Sequence, residues 1–279
     1  MSEAEGYVRP LSAESEGRAA GRGRLAGRRI LVVGGGQRVV DAATDPVGNG
    51  RAMSLLFARE GAAVAVADLR RDAAQATVDL IAGEGGRGHV ITADTTQEAD
   101  VVRMVAAARE ALGGLDGMVL NVGIGVGGLG LSRATPEDWD ATLAANLRGP
   151  MLACREALPV MADGGSIVFI SSIASLRPGS RLPAYDASKA ALGGLMRHVA
   201  FEGKRKGIRA NIVAPGLVDT PLGRVASQGR PSRGRTPTPF GRQATGWEIA
   251  YAALFFMSEE SVYVTGQILA VDAGMTTIA

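Results

Sequence analysis

The 279-residue chain carries 30 Lys and Arg against 28 Asp and Glu, a formal net charge of +2, so its overall charge gives no case for nucleic-acid binding. Hydrophobic residues make up 46%, aromatics only 4%, and there are 39 glycines, which bounds the protein as one large α/β domain with an aliphatic core and many tight turns. No apolar run approaches the roughly 18 residues of a membrane span, and MSEAEGYVRP lacks an apolar signal-peptide core; the expectation is a soluble, cytoplasmic protein with no membrane, nucleic-acid or metal partner.

Residues 1–26 mix Glu, Arg, Gly, Ser and Ala without hydrophobic periodicity, which predicts a flexible tail preceding a single domain over 27–279. RRILVVG then reads as a buried strand, Gly50 to Glu60 as a helix, AAVAVAD as a second strand and Asp72 to Gly83 as a second helix. GHVITAD, GLDGMVLNVG, GGSIVFISS and GIRANIVAPG are further strands, with helices near Thr96 to Leu112, Pro136 to Met161 and Ala184 to Glu202. Cys154 falls in the apolar stretch of one of these helices and reads as a buried small residue rather than a nucleophile, in keeping with a reducing compartment. Thr245 and Glu248 form a candidate capping box for the last helix, and QILAVDAG supplies a seventh strand. Apolar strands without polar alternation, separated by helices, imply a Rossmann-like, doubly wound parallel sheet of seven strands with helices on both faces and a ligand crevice at the strands' carboxyl ends. Pro221 to Gly246 shows no clear element, and a segment that long in a compact domain reads as a substrate lid.

GGGQRVVDAATDPVGNG, Gly34 to Gly50, starts and ends as a phosphate-binding turn. Asp68 stands about 20 positions beyond Gly48, the spacing expected for a residue that takes the adenosine ribose hydroxyls, but too far beyond Gly35, which directly follows the first strand. One interrupted site reconciles the two: Gly35, Gly48 and Gly50 belong to a single turn, and residues 37–45 loop out between them. This insertion has three candidate roles, namely a flap on the pyrophosphate, a subunit contact or a passive surface loop, and nothing in QRVVDAATD demands a ligand, so the passive loop is favoured.

After the turn come Asp94, then Asn121-Val122-Gly123, Asn146, Ser172, the Tyr185-Asp-Ala-Ser-Lys189 motif and Pro215-Gly216, in that order. With this series the chain resembles the classical short-chain dehydrogenases/reductases over about residues 27–275. It departs from their pattern at the interrupted turn and at Leu120-Asn121-Val122-Gly123, where the family's usual motif is Asn-Asn-Ala-Gly, so that a polar side chain beside the cofactor crevice is lost while the glycine is kept.

The resemblance implies an oxidoreductase that moves a hydride between a nicotinamide cofactor and a secondary alcohol or ketone. Tyr185 would be the general acid or base, Lys189 the cation that lowers its pKa and holds the nicotinamide ribose, Ser172 the partner of the substrate oxygen, and Asn146 the holder of a water in a proton relay. Tyr185 and Lys189, at i and i+4, share a helix face; for Asn146 a role in a helix kink near Gly149-Pro150 is a rival. Cofactor contacts are expected at Gly35, Gly48, Asn49, Gly50, Asp68, Asp94, Thr95, Asn121, Gly123, Tyr185, Lys189, Pro215, Gly216, Val218 and Thr220. Asp68, together with Val47 where relatives preferring NADP carry a basic residue, favours NAD; Arg38, Arg70 and Arg71 could instead accommodate NADP.

The substrate pocket is expected at Gly125, Ser172, Ile173, Ala174, Leu182, Tyr185 and Gly216. Arg224, Arg230, Arg233, Arg235 and Arg242 in the lid could steer an anionic substrate such as an acyl carrier protein, or simply be solvated. A 3-oxoacyl carrier-protein reductase using NADPH is the alternative enzyme reading, with Asp68 against it, and a nucleotide-binding sensor without turnover the alternative outside catalysis. The four-residue Tyr185 to Lys189 interval disfavours an enoyl reductase. The resemblance also implies a homotetramer or homodimer.

Overall fold

The computed structural model describes residues 7–41, 43–228, 233 and 236–278. Alternating strands and helices follow the predicted order: β1 (Arg29–Val33), α1 (Asn49–Arg59), β2 (Ala63–Asp68), α2 (Arg71–Gly83), β3 (Arg87–Thr92), α3 (Glu98–Leu112) and β4 (Gly117–Leu120). The second half contains α4 (Pro136–Leu143), α5 (Gly149–Val160), β5 (Ser166–Ile170), α6 (Pro183–Gly203) and β6 (Arg209–Pro215). It closes with β7 (Val218–Asp219), α7 (Pro221–Gln228), β8 (Ala244–Thr245), α8 (Gly246–Met257) and β9 (Ile268–Val271).

The main sheet has seven strands in the order β3-β2-β1-β4-β5-β6-β9, and every pairing in it is parallel. β1, β4, β5 and β6 carry aliphatic residues on both faces because helices cover both. One core unites Leu31, Met118, Phe169 and Ile212 with α3, α5 and α6; the other unites Ile30, Val32, Val119 and Val213 with α1 and α8. The order reverses at β1, whose two neighbours β2 and β4 lead away in opposite directions, so a crevice opens at the carboxyl ends of β1 and β4. None of the described helices is long and apolar enough to cross a membrane.

Two expectations change. The stretch 7–26, read from composition as a flexible tail, is packed onto the domain. Leu25 is fully buried in the core of α1 and α8, and Glu60, itself buried, accepts the main-chain N–H of Arg22 and Arg24 (both 2.9 Å) and the Arg24 guanidinium at 2.7 Å. Composition misled because the segment docks through main-chain groups and single side chains, which leave no periodicity.

The second change is in the lid, which opens with α7 rather than an irregular stretch. Thr220 Oγ1 accepts the Gly223 N–H at 3.0 Å and Pro221 follows it, the combination that starts a helix. Arg230 and Arg235 lie outside the described residues.

Candidate active site

The glycine turn is built by close approach. Gly34 has φ +79°, and its N–H and that of Gly35 both donate to Ala67 O of β2, at 2.8 and 3.1 Å. A Cβ on Gly50 would overlap Gly34 O, and one on Gly36 would fall 2.6 Å from Asp68 Oδ2. The turn therefore requires glycine at Gly34 and Gly36 no less than at the predicted Gly35 and Gly50; the signal was the unbroken Gly34-Gly35-Gly36 run directly after β1. A Cβ on Gly48 would meet nothing closer than 3.6 Å, so packing does not demand glycine there.

The structure brings the two glycine clusters together, Gly50 against the Gly34 carbonyl. Buried Gln37 closes the insertion at its base: its Oε1 accepts Gly48 N–H at 2.8 Å and its Nε2 donates to Pro46 O at 3.3 Å. The insertion therefore loops out from 38 rather than 37.

Several groups at this turn suit a dinucleotide. The N-terminus of α1 follows Gly48, which offers no side-chain cap, and so leaves helix N–H groups and the positive end of the helix dipole for an anion. Asn49 has a buried Oδ1 with no hydrogen-bond partner, an amide poised for a ligand. Asp68 is held at the end of β2 by N–H groups of Gly36 and Arg70, both at 3.1 Å.

The other expected cofactor residues surround the crevice but also brace it. Asn121 Nδ2 donates to Gly34 O at 2.8 Å, fastening β4 to the turn. Asp94 Oδ1 accepts Thr96 N–H and Oγ1–H, at 2.9 and 2.7 Å, and a Cβ on Gly149 would lie 2.8 Å from Thr95 O. Pro215 ends β6, Gly216 N–H donates to Val271 O at 2.9 Å, Val218 is buried in β7, and Thr220 caps α7.

The catalytic candidates converge on α6. Pro183 at the start of the helix places Tyr185 in the first turn and Lys189 one turn on. Lys189 Nζ donates to Ile170 O at 3.0 Å, at the end of β5, and Ser171 Oγ donates to Lys189 O at 2.9 Å. The ammonium stands 5.7 Å from the centre of the Tyr185 ring. Its burial, without a carboxylate against it, pulls the pKa of Lys189 from 10.5 down to about 8. A Cβ on Gly123 would come within 2.9 Å of Lys189 Nζ, so Gly123, expected to contact the cofactor, also makes room for this cation.

Asn146 sits in a π-helical turn, Ala144–Arg148, between α4 and α5, so the predicted single helix over Pro136 to Met161 is continuous but locally overwide. Its Oδ1 accepts Ile124 N–H at 2.8 Å, while its Nδ2 donates to Ile124 O (2.8 Å) and Ser188 Oγ (3.0 Å). The side chain thus ties the loop after β4 to α6. Ser172 caps the short turn Ile173–Ser175, its Oγ accepting Ala174 N–H at 3.1 Å; a hydroxyl so used keeps its own proton for another acceptor.

The residues expected to line the substrate pocket lie close to these groups: a Cβ on Gly125 would meet Leu182 Cδ1 at 3.0 Å and Tyr185 Cδ2 at 3.5 Å, while Ile173 and Ala174 are half-buried on the turn that packs on α6. The described lid arginines are engaged within the chain: Arg224 pairs with Asp219 at 2.7 Å, Arg233 donates to Gly223 O at 2.9 Å, and Arg242 pairs with Glu248 at 2.6 Å. Cys154 is buried and its thiol pKa pushed up by that burial, which leaves it unreactive. A cleft of ≈ 730 Å³ lined by Arg29, Val102, Arg109 and Glu110 opens near the amino end of the sheet, away from these groups.

The family model described as "Enoyl-(Acyl carrier protein) reductase" matches residues 43–276. The chain is 35% identical to a glucose 1-dehydrogenase of Gluconobacter oxydans over 91% of this chain and 93% of that protein. It is 32% identical to a 3-oxoacyl-[acyl-carrier-protein] reductase of Thermotoga maritima, over 90% and 99% respectively. A crystal structure of a short-chain dehydrogenase/reductase from Burkholderia xenovorans superposes with TM-score 0.83 at 36% identity, covering 92% of this chain and 99% of that one. The chain belongs to the short-chain dehydrogenase/reductase family, whose members are oxidoreductases that bind nicotinamide cofactors.

Proposed function

We propose that this protein interconverts a secondary alcohol and a ketone, with NAD preferred over NADP. The observation that carries the reading is the Lys189 ammonium, buried and bonded to Ile170 O beside the Tyr185 ring. A tyrosine hydroxyl ordinarily titrates near pH 10, and a desolvated cation nearby favours its ionised form.

When bound, the nicotinamide ring supplies the hydride acceptor or donor. Tyr185 Oη takes the alcohol proton during oxidation and returns it during reduction, with Lys189 stabilising the phenolate. Ser172 Oγ donates to the substrate oxygen and fixes its position. Asn146 holds the loop after β4 against α6, and water retained beside its π-helical turn would carry the proton onward from Lys189. The four-residue interval between Tyr185 and Lys189 favours carbonyl over enoyl reduction.

Asp68 supports the NAD preference, because its carboxylate would accept ribose hydroxyls and repel a 2′-phosphate. The expected measurement is tighter binding of NADH than of NADPH, narrowed in Asp68→Asn; tighter NADPH binding by the wild type would reverse the assignment. Oxidation of a panel of cyclic, aromatic and acyl alcohols with NAD, followed by NADH absorbance, tests the reaction. Turnover that survives in Tyr185→Phe would contradict the role of Tyr185.

A homotetramer is supported by the exposed apolar Met151 on α5, Phe201 on α6 and Ile268 and Leu269 on the edge strand β9. Light scattering at micromolar concentration distinguishes it from a monomer.

A further inference from the structure

The insertion is not a loose excursion. Asp45 Oδ2 accepts the N–H groups of Val40 and Asp41, at 2.6 and 3.0 Å, and Asp41 accepts Ala43 N–H at 3.0 Å and Thr44 Oγ1–H at 2.7 Å. These bonds tie its described residues to one another, and its Thr44 carbonyl accepts Arg224 Nη1 of α7 at 2.7 Å. Asp41 and Asp45 also lie near enough to act on the charge of Arg224, whose remaining nitrogens are held by Asp219.

The lid touches the second half of the glycine turn at both its ends. A Cβ on Gly48 would lie 3.9 Å from Pro221 Cδ, and one on Gly246 would lie 2.5 Å from Val47 O. The insertion and α7 therefore meet beside the uncapped N-terminus of α1, where the diphosphate is expected.

We propose that Arg224 is a positioning residue that latches the insertion to the lid helix beside the nucleotide diphosphate and slows nucleotide release. The inference rests on reading the Gly34 to Gly50 turn as the nucleotide site. Release requires the insertion and α7 to part, which breaks a charge-assisted hydrogen bond and separates Arg224 from two carboxylates. Such a barrier acts on dissociation more than on association.

The test is stopped-flow displacement of bound NADH by excess NAD, read by NADH fluorescence, in the full chain. Arg224→Ala should release NADH about fivefold faster, the scale of one partly exposed charge-assisted bond. Added salt should speed release from the wild type more than from Arg224→Ala, because screening weakens the latch only where it exists. Arg224→Lys, which keeps the charge facing Asp41 and Asp45, should retain the larger salt response.

Should Arg224→Ala prove unstable, Asp41→Asn with Asp45→Asn attacks the latch from the other side and should also speed release. Equal release rates and equal salt responses in the wild type and the variants, with NADH bound in all, would overturn the latch while leaving the nucleotide site intact. Absence of any NADH binding to the wild type would instead overturn the nucleotide reading and the latch with it.

Discussion

At Lys189 the proposed catalytic arrangement carries a cost to the fold. The folded pKa of about 8 lies below the ordinary 10.5, a difference on the order of 3 kcal/mol. Between those values the folded state holds fewer protons than the unfolded one, so stability rises with pH across that window; below pH 8 the penalty is present in full. Lys189→Met, of similar length and without charge, should therefore be more stable than the wild type at pH 7, with the gap closing as pH approaches 10.5. Urea denaturation at several pH values measures this, and a constant gap would count against desolvation as its origin. The glycines offer a second contrast between structure and ligand. Gly50→Ala should lose several kcal/mol of stability, because its methyl would collide with main chain at Gly34. Gly48→Ala should lose only about 1 kcal/mol, since alanine is a poorer N-cap than glycine but has open space around it here, yet bind NADH more weakly if the diphosphate approaches there. Equal stability losses in the two variants would remove the distinction.

At the scale of elements, legibility followed periodicity and local chemistry. β1, β2, β4, β5 and β6 announced themselves as aliphatic runs, and Thr245 with Glu248 forms the predicted capping box: Thr245 N–H donates to Glu248 Oε2 at 2.9 Å and Glu248 N–H to Thr245 Oγ1 at 3.3 Å. Thr245 Oγ1 also donates to Ser15 O at 2.7 Å, a contact 230 residues distant that no local pattern could show. Thr245→Ala should cost about 1 to 2 kcal/mol, the upper part of the N-cap range because the second bond is lost as well. A loss below about 0.5 kcal/mol in a denaturant titration would mean that water replaces both bonds. α7 was less legible although Thr220-Pro221 is a sound helix start, because the Gly, Ser, Pro and Arg composition downstream masks it. In the site, Tyr185, Lys189, Ser172 and Asn146 could be picked out by motif and order. The clearance that Gly123 gives Lys189 and the clamp from Asn121 to Gly34 could not, since each joins residues brought together only by the sheet; nor could the base formed by Gln37, which closes an irregular loop that has no periodicity.

Across the whole molecule, the N-terminal segment joins parts that the sheet keeps apart. Arg9 N–H donates to Phe240 O at 2.9 Å, Arg242 Nε donates to Arg9 O at 2.7 Å, and Ser15 Oγ donates to Glu248 at 2.9 Å, so the segment braces the end of the lid while Arg24 and Leu25 anchor it at α1. Glu60 is the pivot of that anchor. Burial alone would raise its pKa, but the Arg24 guanidinium and the N–H groups of Arg24 and Arg22 hold it below the ordinary carboxylate value. A depressed carboxylate stabilises the fold above its unfolded pKa of about 4.5 and loses that contribution as pH falls through the folded value. Arg24→Met keeps the aliphatic stem but leaves Glu60 buried with only the two N–H groups, so it should destabilise by about 3 kcal/mol at pH 7. The same variant should be less penalised near pH 5, because the stranded carboxyl then binds a proton more readily than its unfolded counterpart. Glu60→Gln in the Arg24→Met background should restore part of the loss at pH 7, since a neutral amide costs less to bury than an unpaired carboxylate. If the two substitutions instead add independently, the segment is held by its apolar contacts through Leu25 and the ion pair contributes little.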